Sequence, residues 1–215
     1  MIHRLALLAL AAGVLAAQPI PLARLEAQKA IASLVTYHGK EATRLVAADP
    51  SIDRNGMALL KGPDFQDGII EVDLAGQPAA SAIAGARGFI GVAFRVQTNG
   101  AHELIYLRPT NGRADDMFRR NHSTQYVSEP EWPWERLRKE FPSLYESYTD
   151  LETGAWTHYK VIVKGVRAEL YVNGAAQPCL IVKDLRLGPI PGRIALWIGP
   201  GTEGHFANLK VSPNP

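Results

Sequence analysis

Alternation with a period of two runs through the chain from residue 57 onward. Nine segments rich in β-branched and aromatic residues are separated by glycine, proline and asparagine: MALLKG, GIIEVDL, GFIGVAFRVQ, HELIYLR, WTHYKVIVKG, RAELYVNG, CLIVKDL, RIALWIG and FANLKV. Each reads as a strand, and together they predict an all-β domain. In the clearest of them Tyr159, Val161 and Val163, then Ala168, Leu170 and Val172, share one face, while His158, Lys160, Glu169 and Asn173 fall on the other. This is a hairpin with one buried face. Asn173-Gly174 marks a second tight turn, since both residues tolerate positive φ. In RIALWIG both faces are apolar, which suits a strand covered on both sides or one lining an aromatic groove.

The period is lost in two places. Pro19 to Ser33 is Ala-, Leu- and Lys-rich, so residues 18–35 are expected as an N-terminal arm or short helix. From Arg108 to Thr153 arginines, acids and aromatic rings crowd together, with Pro130, Pro133 and Pro142 interrupting regular structure. EWPWERLRKEF can start a short helix after Pro133, with Trp134, Leu137, Arg138 and Phe141 at spacings of three and four. Long irregular spans within compact domains are usually functional, so 108–153 is the first place to look for chemistry.

Composition narrows the class. Of 215 residues 47% are hydrophobic and 20% charged, which supplies a core and excludes a disordered chain. Twenty-three basic residues against 21 acidic ones give +2 with no basic run, so no nucleic-acid partner is expected. Residues 1–17, with His3 and Arg4, an apolar run from Leu5 to Leu15 and then Ala16 and Ala17, have the pattern of a secretory signal peptide. That apolar run rises about 16 Å as a helix against a bilayer core of about 30 Å, so an export signal is expected, not an anchor. The expected product is a secreted or periplasmic protein with no membrane association after cleavage and one jelly-roll domain over 36–215. Its single cysteine, Cys179, offers no intramolecular disulfide, so stability has to come from packing.

The strings Trp156 to Gly174, Gly192 to Gly199 and Phe206 to Val211, with FQDGIIEVDL at Phe65 to Leu74, resemble the concanavalin A-like lectin/glucanase superfamily. More narrowly, the chain resembles the laminin G-like jelly rolls and the 3-keto-disaccharide hydrolase domain family. The resemblance implies a two-sheet antiparallel jelly-roll sandwich, here with the long irregular insertion 108–153. It also implies a sugar held in a groove on a concave sheet. Glucanases of this superfamily need a third acid after a Glu-x-Asp pair, but Ala75 and Gly76 stand where it would follow Glu71 and Asp73. Those two acids are expected to be solvent-facing strand residues.

Within the insertion, Arg108, Arg113, Arg119 and Arg120 lie beside Asp115 and Asp116, with Asn111, Asn121, His122 and Gln125 as neutral partners. Guanidinium forks and amides match sugar hydroxyls, and Tyr126, Trp132, Trp134 and Trp197 offer faces for a pyranose ring. Glu203 is placed at the end of such a groove. Three functions follow: an exported glycan-binding protein, a glycoside hydrolase-like enzyme of the 3-keto-disaccharide type, or a laminin G-like protein-interaction domain. For the enzyme, His122 is the candidate base and Arg119 or Arg120 the enolate stabiliser. Asp115 or Asp116 would be an acid or a ligand for Ca2+ or another divalent ion; otherwise no cofactor is expected. The two adjacent aspartates with Asn111 are the reason for keeping that ion open.

Overall fold

The structure is a computed structural model that describes residues 17–51, 54–82 and 85–214. Apart from Ala17, the expected export segment lies outside the described residues. In chain order the strands are β1 (Leu25–Gln28), β2 (Ala30–Tyr37), β3 (Lys40–Ala47), β4 (Gly56–Leu60), β5 (Gly68–Pro78), β6 (Ile90–Val96) and β7 (His102–Leu107). They continue with β8 (Thr124–Glu129), β9 (Glu146–Ser147), β10 (Thr157–Lys164), β11 (Arg167–Val172), β12 (Leu180–Val182), β13 (Arg193–Ile198) and β14 (Thr202–Ser212). Helices α1 (Pro109–Gly112), α2 (Met117–Arg120) and α3 (Trp134–Glu140) all fall between β7 and β9.

The strands form two seven-stranded sheets. The first has the order β1-β4-β13-β6-β7-β8-β9 and the second β12-β11-β10-β5-β14-β3-β2, with every pairing antiparallel. The nine alternating runs become β4 to β7 and β10 to β14. Residues 18–35 differ from expectation: one 3-10 turn at Leu22–Arg24 is followed by β1 and most of β2. Helix propensity in this stretch is overridden because β2 pairs with β3 along its whole length, from Ala30↔Ala47 to Tyr37↔Lys40.

The core lies between the sheets. Val72, Leu74, Tyr159, Val161 and Leu170 of the second sheet meet Ile90, Val92, Phe94 and Ile105 of the first, all buried. Each such side chain contributes about 1.5–3 kcal/mol on leaving water. Tyr159 crosses the sandwich and donates its hydroxyl proton to the Ile105 carbonyl at 2.9 Å. At Asn173 and Gly174 φ is +52° and +71°, as the tight turn requires. Arg95, fully buried, closes one end of the sandwich: its guanidinium donates to the carbonyls of Gln66, Gly165 and Gly188 and to Asp67.

The first sheet is buried on its outer face as well. Every residue of β6 and β7 is buried, which explains strands apolar on both sides. The cover is the span 108–153, which itself supplies β8 and β9 to the sheet and carries the three short helices across it.

Candidate functional site

The outer face of the first sheet holds a row in register: Trp197 beside Gly91, Gly91 beside Tyr106, Tyr106 beside Gln125, and Gln125 beside Glu146. Period-two alternation puts Arg108 on the same face beyond Tyr106. Gly91 is required there, since a Cβ would sit 2.3 Å from the Ile105 carbonyl oxygen and 2.7 Å from the Tyr106 Cα. Its absence lets the Tyr106 and Trp197 rings meet with centroids 5.0 Å apart.

Over the end of this row the helices enclose a cavity of about 430 Å³. Arg87, Phe89, Arg108, Asn111, Phe118, Arg119, His122, Trp134 and Arg138 line it, and none of its lining residues is acidic. Arg108, 4% exposed, lies at the base of this cluster. It donates to Glu146 Oε1 at 2.9 Å, the Tyr106 hydroxyl at 2.9 Å and Gln125 Oε1 at 3.0 Å, and it lies over the Phe89 ring. Glu146 sits behind the arginines and also accepts from Arg138, whose guanidinium covers the Trp134 ring at 4.7 Å. Burial raises the Glu146 pKa, but hydrogen bonds from Arg138 and Arg108 outweigh it and hold the carboxyl below its usual range.

Helix α2 is aimed by its cap. The Asp116 carboxylate accepts from the backbone N–H of Phe118 at 2.8 Å and of Arg119 at 3.3 Å, and Phe118 and Arg119 then line the cavity. The chain leaves α2 at His122, whose Nδ1 is bonded to the Phe118 carbonyl and whose Nε2 lies 3.3 Å from Glu146. Asn111 donates to the His122 carbonyl at 3.0 Å, so α1 and the end of α2 are tied.

Of the residues expected from the sequence, Arg108, Asn111, Arg119, His122 and Trp134 come together in this cavity. Asp115 and Asp116 are exposed, and the Asp116 carboxylate caps α2. Among the described residues no three His, Cys, Asp or Glu side chains converge as metal ligands. Arg120 turns back to the Ala114 carbonyl at 2.7 Å, and Asn121 is the exposed C-cap of α2. Arg113 forms a surface pair with Asp150 and Glu152. Gln125 lies under Arg108, while Tyr126 points the other way into the core and donates to Glu103 at 2.8 Å. Trp132 is held between Arg136 and Arg186, at 3.6 and 4.5 Å, away from the cavity. Glu203 belongs to the second sheet, where it pairs with Arg44 at 3.0 Å.

Arg87, Phe89, Phe118 and Arg138 are the charged and aromatic lining residues not among the expected site residues. Arg138 carried a signal, its three- and four-residue spacing from Trp134 and Phe141 on the expected helix; Arg87 and Phe89 precede β6 and lie far from the insertion in sequence.

A broader groove runs along the same sheet and shares Pro200 with the cavity. Trp197 and His102 both line it, and the buried Trp197 Nε1 and His102 Nε2 have no hydrogen-bond partner among the described residues. The His102 Nδ1 is taken by the Gly100 carbonyl at 2.8 Å, and burial lowers the ring's pKa, which leaves Nε2 as an acceptor in the groove that also holds the indole donor. On the second sheet Asp73 is a strand residue as expected, but it is covered instead of facing solvent: it is bonded to Lys40 at 2.9 Å, Asn208 at 2.8 Å and His158 at 3.1 Å, with 15% of its side chain exposed.

No protein-family model and no curated protein sequence matches the chain. Solved structures do. The Ca2+/Man3GlcNAc-bound exoplasmic/lumenal domain of VIP36 superposes with a TM-score of 0.59 at 11% identity, over 93% of this chain and 89% of that one. Carbohydrate-binding module CBM66 from Bacillus subtilis gives 0.56 at 12%, over 85% and 94%. The carbohydrate recognition domain of Emp47p gives 0.56 at 10%, over 92% and 91%. At these identities what is shared is the architecture, and the chain has the concanavalin A-like, galectin-like jelly-roll fold.

Proposed function

We propose that the protein binds a glycan on the outer face of its first sheet, with one sugar unit in the arginine-lined cavity and its neighbours along the adjoining groove. The observation that carries this reading is the cavity's lining: planar guanidinium donors beside the 39%-exposed Trp134 and the rings of Phe89 and Phe118. The unpartnered Trp197 donor and His102 acceptor in the groove suit sugar hydroxyls. Structural likeness to a carbohydrate-binding module, a carbohydrate recognition domain and a Man3GlcNAc-bound lumenal domain agrees with it. The leader-like residues 1–17 support export to meet such a glycan.

Binding without hydrolysis is the better fit. Glu146, bonded to the cavity's arginines, is occupied by two of them, and both ring nitrogens of His122 already face oxygens. Neither is offered to a substrate as a free base. The test is a glycan array with the full chain, followed by calorimetry on the best hit. Trp134→Ala is expected to weaken that hit by about tenfold or more while leaving the melting temperature nearly unchanged. An array with no hit, or a hit indifferent to Trp134, refutes the reading.

A further inference from the structure

We infer that the cavity selects a sugar carrying an oxyanion, a carboxylate or a sulfate; the inference rests on the glycan-binding reading and names the class of glycan. Among the described residues four arginines line the cavity, Arg87, Arg108, Arg119 and Arg138, and no acidic residue does. The carboxylate behind them, Glu146, is shared by Arg108 and Arg138. Among the described residues neither Arg87 nor Arg119 forms an ion pair; Arg119 reaches only two neutral oxygens, each at 3.4 Å. Among the described residues the Nε atoms of Arg108 and Arg119, both buried, have no partner.

Like charges gathered in this way repel. The guanidinium of Arg87 shows it, its pKa lowered first by burial and then by Arg119, Arg108 and Arg138. A neutral sugar would leave that repulsion standing. A carboxylate or sulfate relieves it and matches the forks with charge-assisted hydrogen bonds. The rings of Trp134 and Phe118, both exposed, remain for the C–H face of the sugar that carries the anion.

Calorimetry on the full chain at low salt tests this with sodium galacturonate, sodium glucuronate and galactose 6-sulfate. Galactose and glucose serve as neutral counterparts, and sodium sulfate and sodium acetate as bare oxyanions. At least one acidic sugar is expected to bind about tenfold or more tighter than its neutral counterpart and than either bare oxyanion, with the preference shrinking at high salt. Arg87→Gln, at an exposed position where folding is checked by circular dichroism, is expected to remove about tenfold of that affinity. Arg167→Gln, on the other sheet, is expected to remove none. Neutral sugars binding as well as acidic ones would overturn the inference and leave the glycan reading intact. Bare oxyanions binding as tightly as the acidic sugars would overturn it by removing the sugar. If no acidic or neutral sugar binds and the array is also blank, both readings fall together.

Discussion

Replacing Glu146 with glutamine removes one negative charge from beneath the arginines and little else. The Glu146 side chain is 3% exposed and that of Arg108 5%, so the variant leaves a buried guanidinium with only neutral acceptors, Gln125, Tyr106 and the His122 carbonyl. At an effective dielectric of about 20 and a charge separation of about 4 Å, the lost attraction is about 4 kcal/mol. Breaking a buried pair from one side costs about 3–5 kcal/mol. Arg138, with 28% of its side chain exposed, can turn to water and adds little. For a domain of this size that cost lowers the melting temperature by roughly 10 °C. Urea denaturation of Glu146→Gln, Arg108→Met and the double variant measures it. The double variant is expected to lose less than the sum of the singles, because no buried charge is then left unpaired. The sign with pH follows from the depressed carboxyl: the stabilisation is in place above the ordinary value of 4.5 and is lost as the pH falls through the lowered one. A single-variant cost below about 1 kcal/mol, or strict additivity, would refute the buried-pair account.

Three further outcomes are expected. His205, 1% exposed and stacked on Tyr37 at 3.6 Å, has its pKa pushed down from 6.5 to about 4, chiefly by burial. The unfolded chain therefore takes up this proton first, and stability falls by about 3 kcal/mol as the pH drops from 6.5 towards 4. Urea midpoints of His205→Phe should show a shallower slope across that window, and an unchanged slope would count against the assignment. Asp116→Ala should cost about 1 kcal/mol through the lost cap and weaken sugar binding by loosening Phe118 and Arg119, whereas Asp115→Ala should change neither. Gly91→Ala should cost at least about 2 kcal/mol in thermal unfolding, because the added methyl meets β7 backbone.

The sandwich was legible where burial is one-sided or complete and the residues are β-branched or aromatic. β1 and β2 escaped notice because LEAQKAIAS has the composition of a helix, and only pairing with β4 and β3 makes it extended. β8 escaped because Thr124, Gln125 and Ser128 are polar yet buried, their hydrogen bonds satisfied by β9, Arg108 and the Trp132 turn. Arg108, Asn111, Arg119, His122 and Trp134 were found by local density. That criterion equally admitted Asp115, Asn121 and Arg113, which face solvent, since density along the chain carries no information on which side of a four-residue helix a group falls. Arg87 and Phe89 could not be found that way, because the sheet pairing of β6 with β7 brings them to the site.

The closed end at Arg95 bears on how the molecule behaves outside its native setting. One side chain there fastens three loops that are far apart in sequence, the task that cystine performs in many small folds, while the lone Cys179 takes no part. Thiol reductants should therefore leave the shell intact, and material made in a reducing cytosol should reach the same conformation as material made elsewhere.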